Sequence, residues 1–256
     1  MDLAQIQTMK KEGIKISCLT VYDASMARIL AREGIDIILV GDSLGMVIQG
    51  RNDTLAVTMN DMCYHTKIVA PFCKNSYLIT DMPYKSYTKD VALTNAKKLI
   101  ESGAQMVKLE GNEIEIVKIL VKEKIAVCGH LGLQPQSVHK LGGYKIQGKV
   151  KEDADKIIKD AISLEKAGIK LLVLECIPPK LAKKISKKLT IPTIGIGAGV
   201  DCDGQVLVIY DMLGMNEKKL KFNRDFLQNN NSVKKAINCY IKAVKNKTFP
   251  TIDESF

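Results

Sequence analysis

Residues 26–42, MARILAREGIDIILVGD, state a pattern that the chain repeats. Apolar residues recur at helical spacing, Gly34 follows, an apolar run starts, and an acid, Asp42, comes at its end. Residues 95–111, NAKKLIESGAQMVKLEG, repeat it with Gly103 and Glu110. Residues 161–176, AISLEKAGIKLLVLEC, repeat it with Gly168 and Glu175. Each glycine stands where a helix C-cap takes a residue of positive φ. Helical spacing also joins Ala92, Leu93, Ala96, Leu99 and Ile100, and again Ile157, Ile158, Ala161, Ile162 and Leu164.

Five further apolar runs read as strands: KISCLTVYD at 15–23, SYLITDMPY at 76–84, IAVCGHLG at 125–132, IPTIGIGAG at 191–199 and QVLVIYDMLG at 205–214. Together they give eight strands, starting near residues 16, 36, 77, 105, 125, 170, 192 and 206, most of them separated by helical patterns. Such alternation implies a parallel sheet, and eight units in 256 residues fit a closed (β/α)8 TIM barrel. The expectation is one catalytic domain over 1–256. Residues 216–249 supply the last barrel helix and a C-terminal helical extension. An open doubly wound sheet is the alternative, but no G-x-G-x-x-G occupies the first βα turn. The stretch 133–149, LQPQSVHKLGGYKIQGK, is long for a βα connection and reads as a functional loop.

Composition narrows the function. Hydrophobic residues make up 46%, enough for a full core. There is no uncharged apolar run of about eighteen residues and no signal-peptide stretch, so neither a membrane span nor export is expected. The seven cysteines are scattered and never form CxxC, which argues for reduced, buried thiols in a cytoplasmic protein. The net charge of +10 is spread along the chain without an aromatic-rich RNA-binding motif or zinc finger. That pattern suits a lysine-rich surface, or an anionic small molecule, better than a nucleic acid.

Barrel active sites lie at the C-terminal ends of the strands. The sequence puts Asp42, Asp81, Glu110 and Glu175 there, with His130 at the end of the fifth strand. Four carboxylates so gathered repel one another unless something positive offsets them. Oxygen donors without thiolate suit Mg²⁺. Lys108 is the other candidate, because two residues before Glu110 it faces the same side of its strand. Glu175 has no basic sequence neighbour, and desolvation would raise its pKa towards that of a general base. Asp42 alone reads as a helix cap, and His65 and His139 carry no signal. The glycines of GIGAG (195–199) read either as a phosphate loop or as close backbone packing.

Several strings together resemble the ketopantoate hydroxymethyltransferase family: LVGDSLGMVIQG (39–50), MVKLEG (106–111), VCGHLGLQPQSV (127–138), GGYKIQG (142–148), LLVLECIP (171–178) and IPTIGIGAG (191–199). The likeness runs from about residue 14 to 214, with an echo at FP and ESF near residue 256. It implies a barrel enzyme that moves a hydroxymethyl group from 5,10-methylenetetrahydrofolate to 3-methyl-2-oxobutanoate. It also implies Asp42 and Asp81 as Mg²⁺ ligands that meet the substrate, and Glu110 as the third acid of the metal site. Ser43 would hold the substrate carboxylate, Lys108 the oxo acid, and His130 would line the pocket. Glu175 would be the base. A homo-oligomer, a decamer of two pentameric rings, is implied too. A Mg²⁺-dependent 2-oxo acid lyase or aldolase on a related barrel is the rival. The segment MNEKKLKFNRDF (215–226) lacks the glycines and proline of the family pattern, which leaves that rim open.

Overall fold

The computed structural model describes residues 1–138, 143, 145–216 and 220–256. Eight parallel strands close into a barrel in sequence order. They are β1 (Ile16–Thr20), β2 (Ile37–Val40), β3 (Tyr77–Asp81), β4 (Met106–Glu110), β5 (Val127–Gly132), β6 (Leu171–Glu175), β7 (Thr193–Ile196) and β8 (Gly204–Leu207). The helices are α1 (Leu3–Glu12), α2 (Ala24–Glu33), α3 (Leu44–Val47), α4 (Met59–Val69), α5 (Ala92–Glu101), α6 (Ile114–Lys122), α7 (Lys151–Ala167), α8 (Pro179–Lys188), α9 (Ile209–Met212) and α10 (Val233–Lys245). All eight expected strands form. The last is shorter than its apolar run, because the chain turns helical at Ile209.

Two of the three repeated glycines cap their helices as the pattern predicts; α5 is capped by Ser102, and Gly103, at φ 109°, follows it. Gly34 and Gly168 cap α2 and α7 in the left-handed region, at φ 81° and 111°. There a side chain would be strained, and the reversal delivers the chain into the next strand.

Period-two alternation sorts the strand residues into two cores. One face packs on the helices through Leu19, Ile38, Leu78, Val107, Leu109, Leu172 and Leu174. The other points into the barrel: Ile16, Cys18, Ile37, Leu39, Tyr77, Ile79, Met106, Cys128, Leu171, Val173, Ile194 and Val206. Helix α1 adds Ile6 to that inner cluster, with Leu3 and Met9 against it. Burying each such Leu or Ile stabilises the fold by about 1.5–3 kcal/mol.

Helix α10 completes the outer ring beside α2 and β1. The Tyr240 hydroxyl lies 2.8 Å from the Cys18 carbonyl and 2.9 Å from that of Gln205. It thereby ties β1 to β8 where the barrel closes. All seven cysteines are free. Among the described residues, no helix is long and apolar enough to cross a membrane.

Candidate active site

The inward phase that buries Met106 also turns Lys108 and Glu110 into the barrel, two and four residues further up β4. Strand register then sets their neighbours. Asp81 stands opposite Lys108, and Glu110 opposite His130. Lys108 Nζ lies 2.7 Å from Asp81 Oδ1. His130 sits between two acids, with Nδ1 3.4 Å from Glu110 Oε1 and Nε2 3.2 Å from Glu175 Oε2. These are ion-pair distances without hydrogen-bond alignment, since both imidazole nitrogens and Asp81 Oδ1 lack hydrogen-bond partners. The absence of a basic sequence neighbour for Glu175 therefore misleads, because β5 supplies His130 from the next strand.

Asp42 lies just beyond β2. Its backbone amide donates to Asp81 Oδ2 at 3.0 Å, and its carboxylate accepts from Gln136 Nε2 at 2.8 Å. It is no helix cap; Ser43 holds the N-cap place of α3, without a side-chain capping bond. The Ser43 hydroxyl meets the Tyr22 hydroxyl at 2.8 Å, and Tyr22 donates to Thr20 at 2.8 Å. Gly41 permits this crowding: a Cβ there would fall 2.8 Å from Ser43 Oγ.

The sequence reading missed Gln136. Its backbone amide donates to Glu110 Oε2 at 3.0 Å, and its side chain donates to Asp42 and to the Met82 carbonyl. Its side-chain Oε1 accepts from the Tyr87 hydroxyl at 2.6 Å. One buried glutamine thus bridges two acids. It belongs to the long loop after β5, which does serve the site. His139, Gly142 and Tyr144 of that loop lie outside the described residues. His65 stands apart from the acids, with Nδ1 2.6 Å from the Tyr22 carbonyl.

Two cations face four carboxylates. Burial alone would lower the Lys108 pKa, but the charges of Asp81, Glu110 and Asp42 outweigh it and hold the ammonium protonated. Burial also opposes charge on His130, yet Glu110 and Glu175 push it up to about 9. Glu110 resists its own burial through His130, Lys108 and the Gln136 amide, and is held below the usual range. Asp42 is the acid left over. Burial, with Asp81 and Glu110 beside it, holds its carboxyl well above the usual range. A deficit of positive charge at an oxygen-only donor set suits a hard divalent cation. Among the described residues no three His, Cys, Asp or Glu side chains make a ready cage. An ion there would complete its shell from water and ligand oxygens, as Mg²⁺ does.

These groups open into a cavity of about 560 Å³ that Asp42, Ser43, Asp81, Lys108, Glu110, His130 and Glu175 line together. The Glu175 side chain is 14% exposed against 3% for His130, so the glutamate is the one open to a ligand. The glycines after β7 serve packing. A Cβ at Gly197 would meet Phe256 at 2.9 Å and Phe222 at 3.1 Å, and one at Gly199 would meet Pro179 at 2.6 Å.

The family model for ketopantoate hydroxymethyltransferase matches residues 1–252. The 3-methyl-2-oxobutanoate hydroxymethyltransferase of Ruthia magnifica subsp. Calyptogena magnifica is 56% identical, with all of both chains covered. That of Buchnera aphidicola subsp. Schizaphis graminum is 53% identical over 100% of this chain and 99% of its own. Among solved structures, phosphonopyruvate hydrolase in complex with oxalate and Mg²⁺ superposes with a TM-score of 0.63 at 11% identity, covering 81% of each chain. A 2,3-dimethylmalate lyase of the PEP mutase/isocitrate lyase superfamily gives 0.62 at 14%, over 83% of this chain and 82% of its own. At such identities these two likenesses speak for the barrel fold.

Proposed function

The chain belongs to the ketopantoate hydroxymethyltransferase family, and from that premise we propose that it transfers a hydroxymethyl group from 5,10-methylenetetrahydrofolate to 3-methyl-2-oxobutanoate. The product is 2-dehydropantoate. The observation that carries the mechanism is the joint placement of Lys108, an under-compensated Asp42–Asp81 pair and a partly open Glu175 around one cavity.

Asp42 and Asp81 would hold Mg²⁺, with Glu110 as the third acid of the site. When bound, the ion supplies Lewis-acid stabilisation of the negative charge that grows on the substrate's 2-oxo oxygen. Glu175 takes the C3 proton. His130 Nε2, 3.2 Å from Glu175 Oε2, holds the glutamate beside the cavity by charge. Lys108 is a fixed cation on the floor of the cavity, where oxyanion charge develops. Ser43, positioned beside Tyr22, turns its hydroxyl hydrogen from the Tyr22 oxygen to the substrate carboxylate when the acid binds. The carbanion carbon then bonds to the methylene carbon of the donor; both C–N bonds of that carbon break in the transfer, one water supplies the hydroxyl, and tetrahydrofolate leaves with both nitrogens protonated. The phosphonopyruvate hydrolase of like fold was solved with Mg²⁺ and oxalate; here the metal reading rests on the acids themselves. By the family resemblance, the chain works in the cytoplasm as a homo-oligomer, which a molecular-mass measurement in solution tests.

The test is stoichiometry. With oxo acid, donor and Mg²⁺, one tetrahydrofolate should appear per 2-dehydropantoate, chelation should stop the reaction, and Mg²⁺ should restore it. Oxo acid consumed without loss of the donor would replace this reading with a lyase or aldolase.

A further inference from the structure

The cavity has two unlike halves. The inner half holds the charged groups described above. The outer half is apolar and aromatic, with Met46, Leu220, Phe222 and Phe256 in its wall and two cations, Arg51 and Lys221, at its edge. None of the roles assigned so far uses the outer half.

The outer wall is built. Residues 249–256 form a strap whose Phe256 lies against Gly197, the residue after β7. Arg224 pins this strap with two 2.7 Å bonds to the Glu254 carboxylate, and its Nη2 also donates to the Thr248 carbonyl at 3.1 Å. Ser255 is buried and donates to the Thr251 carbonyl at 2.8 Å. Phe222 and Phe256 meet edge to face at 6.1 Å, over a glycine that leaves room for both rings. Lys221 Nζ stands 5.3 Å from the Phe256 ring centroid. Thr54 also lines the cavity, and its buried hydroxyl has no hydrogen-bond partner. Ring faces, an unsatisfied hydroxyl and two edge cations together match a planar, hydrogen-bonding heteroaromatic with an anionic tail.

We propose that Phe256, with Phe222 and the Arg224–Glu254 strap that holds it, forms the subsite for the pterin ring of the one-carbon donor, and that Lys221 and Arg51 receive the donor's carboxylate tail. This rests on the donor proposed above. The strap places an aromatic wall at the mouth of the cavity, so that donor and oxo acid meet with bulk water shut out. Phe256 is a specificity-determining residue in this arrangement, without a share in proton transfer.

Tetrahydrofolate binding to the full chain tests it, measured by calorimetry with Mg²⁺ and oxo acid present. Phe256→Ala is expected to weaken binding about tenfold. Phe256→Leu, which refills the volume without a ring, should weaken it nearly as much, and Phe256→Tyr should restore it. Lys221→Ser, at an exposed position, should cost roughly threefold and flatten the salt dependence. Phe256→Leu binding as tightly as the unaltered chain would overturn the proposal. So would an equal loss of affinity for the oxo acid, which would make the ring a structural plug. If the unaltered chain shows no tetrahydrofolate binding, the donor assignment falls and the subsite falls with it. Binding that all the Phe256 variants keep removes the subsite alone.

Discussion

The lower and upper halves of the barrel interior are cut from the same strands in the same phase, yet they oppose each other. On β4 the inward series runs Met106, Lys108, Glu110; on β5, Cys128, His130; on β6, Leu171, Val173, Glu175. The lower members form an apolar plug with Ile6 of α1 beneath it. The upper members bury carboxylates that their two cations do not balance. Height along the strand decides the chemistry. The lower half supplies the burial energy, and the upper half holds charge that disfavours the fold until a cation and substrate arrive.

Substitutions at different heights can break or sharpen this contrast. The largest effect is expected from Lys108→Met, which strands Asp81 as a buried, unpaired charge. It should cost about 3–5 kcal/mol in urea unfolding with chelator present. A loss under about 1 kcal/mol would mean that the Lys108–Asp81 ion pair contributes little to the fold. Next comes Ile37→Ala in the lower half, at about 2–4 kcal/mol, with the KM of the oxo acid held within about twofold. A large KM change would deny that the halves are separable.

The third prediction concerns pH. The folded pKa of His130, about 9, exceeds the ordinary 6.5. Its stabilisation is therefore complete below about pH 6.5 and is lost as pH rises through 9. In chelator the unaltered chain should lose roughly 2–3 kcal/mol more than His130→Gln between those values; parallel pH curves would contradict the ion triad. The smallest effect has the opposite sign. Asp42→Asn removes the acid whose ionisation burial opposes, so the metal-free protein should gain about 1 kcal/mol at pH 7 while losing Mg²⁺ affinity. Destabilisation would show that Asp42 is already compensated.

Much of this was readable along the chain, because local rules fix it. Glycine after an amphipathic helix, then an apolar run, marks each βα unit, and a two-residue step puts Lys108 and Glu110 on one face. The end of β8 was misread because VIYDM is as apolar as a strand, while the chain turns helical there. Partners set by closure of the barrel were not readable. His130 meets Glu175 only through the stagger of β5 against β6. Gln136, Tyr22 and Tyr87 are ordinary polar residues until a loop folds over the acids. Nothing at residue 256 announces a phenylalanine at the mouth of the cavity.

Hydrogen exchange at C3 of 3-methyl-2-oxobutanoate in heavy water, without any folate, tests the central claim that the upper half is a cation-assisted proton-abstraction site. The unaltered chain should exchange that hydrogen with Mg²⁺ and not with chelator. Glu175→Gln should slow the exchange by about 10²–10⁴ while Mg²⁺ affinity stays within a few fold. Exchange that ignores Mg²⁺, or that persists at full rate in Glu175→Gln, would contradict it.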